Sequence, residues 1–275
     1  MMTKKIGFIG AGNMANSIVG GLIDDGYPPS AIWVSNRGEQ KRDNFALRFS
    51  INAATSNEAL VSEVDVLVLC VKPQGMRALC EEIRPMVEKR KPLVISLAVG
   101  LTTETLNEWL GGKVGVVRAM PNTPSLLRAG ATGLFASSQV SPREKTLAES
   151  LMRAVGMTIW VDDESKIDVI AALSGSGPAY VFFLMQAMQE AAEKLGLDKK
   201  AAQALTVQTV FGAAKLALES GDPPEILRQR VTSPKGTTER AIQSFSEDGL
   251  LGMVEKAMRA ACDRACELSA ELSKR

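Results

Sequence analysis

The sequence predicts an α/β fold: an N-terminal doubly wound, mainly parallel sheet, followed by an all-α C-terminal half. Three observations carry this expectation. Short apolar runs alternate with helical patterns as far as residue 119, as a sheet with helical crossovers requires. The most hydrophobic run, Asp65-Val66-Leu67-Val68-Leu69-Cys70-Val71, has no polar alternation, as expected of a central strand buried on both faces. Past about Asp163 no β-rich run returns, and the apolar residues recur at helical spacing. The 275 residues suffice for two domains. The change of character sets them at 1–162 and 163–275.

The first strand is the apolar run Lys5–Ile9. Gly10-Ala11-Gly12-Asn13-Met14-Ala15 follows at once, and Asn16–Asp25 then carries Ile18, Val19, Leu22 and Ile23 at helical spacing. Strand, glycine loop and helix in this order form the context in which G-x-G-x-x-G/A binds a dinucleotide. Gly10 permits the tight turn out of the strand. Gly12, without a side chain, lets a pyrophosphate approach the backbone. Ala15 is small enough for close packing of helix on strand. The free N–H groups that open the helix attract phosphate.

The second strand, Ala31–Val34, runs into Ser35-Asn36-Arg37. An enzyme specific for NAD(H) usually carries Asp or Glu here, to hold the ribose hydroxyls. This chain has an uncharged pair and a guanidinium, with Lys41 and Arg42 about a turn later. Arginine pairs well with phosphate oxygens, so the residues predict NADP(H), with NAD(H) as the weaker alternative. A helix from near Arg37 to Phe49, a short strand Ile51–Ala54 and a short helix from Ser56 lead to the Asp65–Val71 strand. That strand stops at Lys72-Pro73, because proline cannot continue a central ladder. Ligands of open α/β sheets lie beyond the carboxyl ends of the strands. Val71, Lys72 and Pro73 are therefore expected near the cofactor. Ala98-Val99-Gly100 closes the next strand, Pro92–Leu97, at the same sheet edge. Met120-Pro121-Asn122-Thr123-Pro124 forms a rigid polar loop after the strand Val114–Arg118. Helices over Gly75–Glu88, Thr102–Leu110 and Pro142–Val155, and late strands Thr132–Ala136 and Thr158–Val161, complete this half.

In the second half, Ile167, Ile170, Ala171 and Leu173 mark an amphipathic helix that Ser174-Gly175-Ser176-Gly177 is expected to break. Tyr180–Leu195 is a markedly apolar helix stopped by Gly196. Helices over Asp198–Glu219, Glu225–Arg230, Thr237–Phe245 and Leu250–Leu272 follow. Helices this apolar need more cover than so small a domain offers, so the expected partner is a second copy of the chain, in a two-fold homodimer through the C-terminal helices.

Composition excludes much else. Net charge is +1, from 32 basic and 31 acidic residues, which leaves no electrostatic footprint for nucleic acid. The chain has no histidine, which removes histidine-ligated zinc, a Ser-His-Asp triad and hydride transfer assisted by a histidine acid. No metal site is expected. Its four cysteines form no C-x-x-C pair. No signal peptide is read at the N-terminus, and no run of ~18 uninterrupted apolar residues occurs. The expectation is a cytoplasmic protein with no membrane partner.

Three stretches stand in characteristic order: Gly7-Phe8-Ile9-Gly10-Ala11-Gly12-Asn13-Met14-Ala15, Ser174-Gly175-Ser176-Gly177-Pro178-Ala179-Tyr180 and Val231-Thr232-Ser233-Pro234-Lys235-Gly236-Thr237-Thr238. With Val71-Lys72-Pro73 and Met120-Pro121-Asn122-Thr123-Pro124, the chain closely resembles pyrroline-5-carboxylate reductase, nearly from end to end. The resemblance implies an N-terminal Rossmann domain and a helical domain that intertwines with a partner subunit, in dimers often assembled further into rings of five, a decamer. It implies NAD(P)H-dependent reduction of the small-molecule substrate 1-pyrroline-5-carboxylate to L-proline. Carried over by motif, Ser233, Gly236, Thr237 and Thr238 hold the substrate carboxylate and ring nitrogen. Ile9, Gly10, Ala11, Gly12, Asn13, Met14, Ser35, Asn57, Cys70, Val71, Lys72, Pro73, Ala98, Val99 and Gly100 line the cofactor, beside the Asn36 and Arg37 argued above. One departure stands out: the family usually has a small residue, most often Gly, where this chain has Lys235.

The implied chemistry suits these residues. A protonated imine is already electrophilic at carbon, so the enzyme supplies mainly proximity and orientation, and histidine is dispensable. Pro234 stiffens the turn into a helix, whose opening amides at Gly236–Thr238 suit a carboxylate. The Thr238 hydroxyl is the catalytic candidate, hydrogen-bonding the ring nitrogen and passing it a proton. The competing reading of Ser233 and Thr238 is plain helix capping. Among rival classes, a β-hydroxyacid dehydrogenase needs a catalytic lysine in the helix after Gly177, and none occurs there before Lys194. A non-enzymatic dinucleotide sensor needs no substrate loop.

Overall fold

The computed structural model describes residues 3–273. The chain runs β1 (Ile6–Ile9), α1 (Asn13–Asp24), β2 (Ile32–Ser35), α2 (Glu39–Phe49), β3 (Asn52–Ala53), α3 (Asn57–Glu63), β4 (Val66–Leu69) and α4 (Met76–Arg90). It continues through β5 (Leu93–Ser96), α5 (Thr103–Trp109), β6 (Val116–Met120), β7 (Gly130–Ala136), α6 (Pro142–Arg153) and β8 (Gly156–Trp160). The rest is helical: α7 (Lys166–Ile170), α8 (Gly177–Lys194), α9 (Lys199–Ser220), α10 (Pro224–Arg230), α11 (Thr237–Glu247) and α12 (Leu250–Ser273). It divides into two compact units, one holding the sheet, residues to Ser176 and the chain from Ala260, the other Gly177–Arg259.

In the first unit eight strands lie in the order β3-β2-β1-β4-β5-β6-β7-β8. Every pair is parallel except β6 with β7. β1 pairs with β2 on one side and β4 on the other, Ile9 lying opposite both Ser35 and Leu69. The chain therefore leaves β1 in one direction and later returns to its other side, which makes the carboxyl end of β1 the topological switch point. The apolar strands explain the burial. Ile6, Phe8, Val66 and Val68 face one core with Ile18 and Val19 of α1. Leu67 and Leu69 face the other, with Leu60 of α3 and Ile83 of α4.

The beginning of the helical half is fastened to this sheet. Arg118 of β6 is buried; it donates to Asp168 of α7 at 2.6 Å and lies 3.6 Å from Glu164. Glu164 in turn accepts from the Thr103 amide and hydroxyl at 2.7 and 2.8 Å. Ile167 and Ala171 pack with Met120. Residues 163–176 therefore sit with the sheet, whereas the change in sequence character came at 162/163.

The Ser174-Gly175-Ser176-Gly177 stretch does not break the helix as expected. Residues Ala171–Gly175 form one π-helical turn, and Ser176 keeps right-handed helical dihedrals (φ −85°, ψ −21°). The helical run continues from Lys166 to Lys194. A wider turn accommodates the extra residue, as π-bulges inside helices do. Sequence punctuation reads Gly-Ser as a stop, but here flanking packing holds the helix together.

In the second unit α8 packs against α9. The turn between them is closed by Gly196 at φ +99° and by the Asp198 side chain, which accepts from the amides of Lys200 and Ala201. Among the described residues of this unit only Ala202 and Thr206 are buried. Phe183 is 73% exposed and Phe211 59%. The run Lys166–Lys194 is long and apolar enough, at mean hydropathy 1.5, to pass as a membrane span by length and composition.

Candidate active site

The switch point opens into a cleft of about 400 Å³. Ile9, Gly10, Ala11 and Gly12 form its floor, Asn36, Arg37 and Lys41 one wall, and Cys70, Val71 and Lys72 another. Two glycines here differ in what they do. Gly10 has φ +105°, and a Cβ there would sit 2.9 Å from the Cys70 carbonyl oxygen, so the backbone itself requires it. A Cβ on Gly12 would meet no atom within 4 Å. The protein makes no use of the missing side chain, and the space it leaves belongs to the cleft. That open floor fits a pyrophosphate.

Gly12 is the N-cap of α1, where no side chain caps the helix and no acidic residue occupies the first turn. The opening N–H groups thus point their partial positive charge into the cleft, with no carboxylate in the helix's own first turn to compete for them. Two bonds fix the loop. The Gly10 amide donates to the Ser35 carbonyl at 2.9 Å, and the Ala11 amide to Asn36 Oδ1 at 3.2 Å. The end of β2 is thereby tied to the loop after β1, with Arg37 and Lys41 exposed at the mouth. Burial pushes the Cys70 thiol well above its ordinary range, so it stands in the cleft as a neutral group.

Ten of the seventeen expected cofactor residues line this cleft: Ile9, Gly10, Ala11, Gly12, Asn36, Arg37, Asn57, Cys70, Val71 and Lys72. Asn13 and Met14 begin α1 just beyond it. Ser35 lies beneath, 2% exposed, and donates to Asn57 Oδ1 at 2.7 Å. Pro73 opens a 3-10 turn leading into α4. The trio after β5 lies apart. Ala98 is in the core, Val99 packs beside Met120, and the main chain of Gly100 lies against the end of α12, near Leu268 and Ser269. The structure adds Gly75, Leu79 and Glu82 to the cleft. No motif marks them. They arrive because α4 starts immediately beyond the strand end, so its helical period brings them past the opening.

The rigid loop Met120–Pro124 has a structural task. Asn122 is buried, donates to the Ser174 carbonyl at 3.0 Å and accepts from the Ala131 amide at 2.9 Å. It joins the loop to the π turn and to β7.

In the second unit, Ser233–Gly236 is a tight turn closed by the Gly236 amide on the Ser233 carbonyl at 3.0 Å. Lys235 has φ +60°. It is the third residue of a turn whose second is proline, a position that favours glycine when φ is positive. This is the physical reason for a Gly preference at that point, and Lys235 adopts the conformation regardless. Its amide donates to Glu239 Oε2 at 2.8 Å. Gly236 is the N-cap of α11, and no side chain caps this helix either. The capping role open to Ser233 from sequence is therefore not taken. A Cβ on Gly236 would come within 2.5 Å of Ser233 Oγ. Thr237 and Thr238 open α11 and are exposed and half-buried.

Two family models match the chain: pyrroline-5-carboxylate reductase dimerisation over residues 164–268, and NADP oxidoreductase, coenzyme F420-dependent, over residues 5–100. A pyrroline-5-carboxylate reductase of Pseudomonas aeruginosa is 50% identical over 272 residues, covering 99% of both chains. This chain belongs to the pyrroline-5-carboxylate reductase family. A solved pyrroline-5-carboxylate reductase from Coxiella burnetii is 53% identical and superposes with a TM-score of 0.93 over 98% of this chain and 99% of that one. A Plasmodium falciparum pyrroline carboxylate reductase, solved with NADP bound, is 26% identical, with a TM-score of 0.86 over the same shares. The chain is thus an oxidoreductase of proline biosynthesis on a Rossmann-type sheet, and its exposed helical half carries the dimerisation domain of the family. The apolar run from Lys166 to Lys194 falls wholly within that domain.

Proposed function

We propose that the chain reduces 1-pyrroline-5-carboxylate to L-proline, the last step of proline biosynthesis, with NADPH as the preferred donor. When bound, the reduced nicotinamide supplies the hydride. The observation that carries the reading is that two uncapped, glycine-headed helix starts, those of α1 and α11, fall at the glycine loop and at the Ser233–Thr238 turn, in a chain that matches the family from end to end. Each presents unsatisfied N–H groups to an anion. The first suits the pyrophosphate, the second the carboxylate of the imine.

The residues divide the work. Ile9 to Met14 hold the pyrophosphate. Arg37, with Asn36 beside it, favours a 2′-phosphate, since a guanidinium matches phosphate oxygens, and Ser35 supports the site from beneath. NAD(H) binds more weakly. Asn57 and Cys70 to Pro73 continue the coenzyme wall along the strand ends, and Ala98 to Gly100, after the next strand, meet the coenzyme beyond the cleft. Ser233, Gly236, Thr237 and Thr238 hold the substrate, the amides on its carboxylate and the Thr238 hydroxyl on its ring nitrogen. Hydride adds to the carbon of the protonated imine, the C=N π pair moves onto the nitrogen that already carries its proton, and Thr238, hydrogen-bonded to that nitrogen, assists its protonation as the secondary amine forms. Residues 1–162 serve the coenzyme and 163–275 serve substrate binding and dimerisation. The active protein is a cytoplasmic homodimer that assembles five dimers into a decamer, its apolar helices covered by the second copy rather than by lipid.

The deciding assay is NADPH oxidation with 1-pyrroline-5-carboxylate, a six-membered cyclic imine and 3-hydroxyacids in parallel. Turnover is expected with the first, and none with it would sink the reading. Thr238→Ala should lower turnover about 10-fold. A variant as fast as the parent makes Thr238 a residue of the helix start and no more.

A further inference from the structure

A negative charge that no motif announces enters the coenzyme cleft beside its cations. Glu82, on α4, lines it together with Arg37, Lys41 and Asn57. Asn57 Nδ2 donates to Glu82 Oε1 at 3.0 Å, while Asn57 Oδ1 accepts from the Ser35 hydroxyl at 2.7 Å. The direction of this row is forced. A carboxylate accepts only, so Asn57 must turn its NH₂ group towards Glu82. Its oxygen then faces Ser35, whose proton is committed to it. The row leaves the cleft with an anionic acceptor at one end and with the Ser35 proton withdrawn at the other. Both features suit a ribose hydroxyl, which donates. Both work against a phosphate, which accepts and carries negative charge. Arg37 and Lys41 pull the opposite way.

We propose that Glu82 sets the balance between the two coenzymes: through the Ser35–Asn57–Glu82 row it favours a 2′-hydroxyl and opposes the 2′-phosphate that Arg37 and Lys41 attract, so that the cleft admits NAD(H) as well as NADP(H). This rests on the coenzyme reading above and adds to it the residue that tunes selectivity. Glu82→Gln removes the charge at constant shape. It also lets the glutamine donate to Asn57, which can then reverse and end the row's fixed direction.

The test is titration calorimetry of NADP⁺ and NAD⁺ on the full-length parent and on E82Q, with melting temperatures recorded without coenzyme. The ratio Kd(NAD⁺)/Kd(NADP⁺) should rise about 10-fold in E82Q, the size expected for removing one charge near a phosphate in a partly exposed site. An unchanged ratio, or an equal loss for both coenzymes with an unchanged melting temperature, overturns the proposal, since Glu82 would then act on the shared adenosine or on nothing. A parent protein that binds neither coenzyme overturns the coenzyme reading itself, which separates the two failures.

Discussion

The glycine-headed starts of α1 and α11 look alike in sequence and differ in what their glycines are for. Gly12 heads α1, and a side chain there would meet only open space. Gly236 heads α11, and a side chain there would collide with Ser233. The first glycine is an absence kept for a ligand. The second is an absence demanded by the protein's own turn. Supports differ likewise: α1 rises from a strand buried on every side, whereas α11 follows a surface turn held by Lys235 in a conformation that glycine would adopt more easily. The lesson is that one motif type can mark a binding surface or a folding constraint, and that the surroundings of the missing Cβ tell which.

Substitutions can break this comparison. Gly236→Ala should have the largest effect, because the new Cβ displaces Ser233 and with it the proposed substrate turn. A shift of that kind costs about 100-fold in kcat/KM for the imine, together with a lower melting temperature. Steady-state kinetics close to the parent would show that the turn holds no substrate. Gly12→Ala should leave the melting temperature unchanged, as it touches nothing, yet weaken coenzyme binding about 10-fold by standing in the phosphate space. A fall in stability with unchanged coenzyme affinity would reverse the roles assigned to the two glycines. Arg37→Asp should raise the Michaelis constant for NADPH about 10-fold and that for NADH much less; an unchanged NADPH constant takes Arg37 out of the phosphate site. The smallest change sharpens the comparison from the other side. Lys235→Gly should stabilise the turn by about 1 kcal/mol, the cost of a non-glycine residue at positive φ less the added freedom of the unfolded chain. Thermal unfolding would show this as a rise of a few degrees, and a fall would mean that the lysine side chain is engaged.

Much of the fold was legible in the residues. The strand positions, the first six helices and the cap at Gly196 follow from local chemistry: hydrophobic period, glycine and proline act over a few residues. Gly10, Gly12 and Arg37 were legible for the same reason, since strand, turn and helix start are contiguous. Asn57 came through family likeness. The π turn at Ala171–Gly175 was not legible. Its outcome depends on Ile167, Ala171 and Met120 packing together and on Asn122 holding the Ser174 carbonyl, contacts across some fifty positions of chain. Glu82 was invisible likewise, because nothing local distinguishes it from Glu81 beside it. The helix phase and the place of α4 against the sheet turn one into the cleft and leave the other paired with Arg77 on the surface.

The sequence by itself determined the strand–loop–helix start, the uncharged end of β2, the absence of any histidine acid, and a helical half too apolar to stand alone. These are properties of composition and short-range spacing, and no partner in the fold can alter them. Tertiary structure decided which glycine is empty and which is crowded, that Lys235 must take a left-handed conformation, and that Ser35, Asn57 and Glu82 form a row with one allowed direction. Those outcomes depend on atoms brought together from β2, α3 and α4, or held at a turn angle. Such distances exist only once the chain has folded.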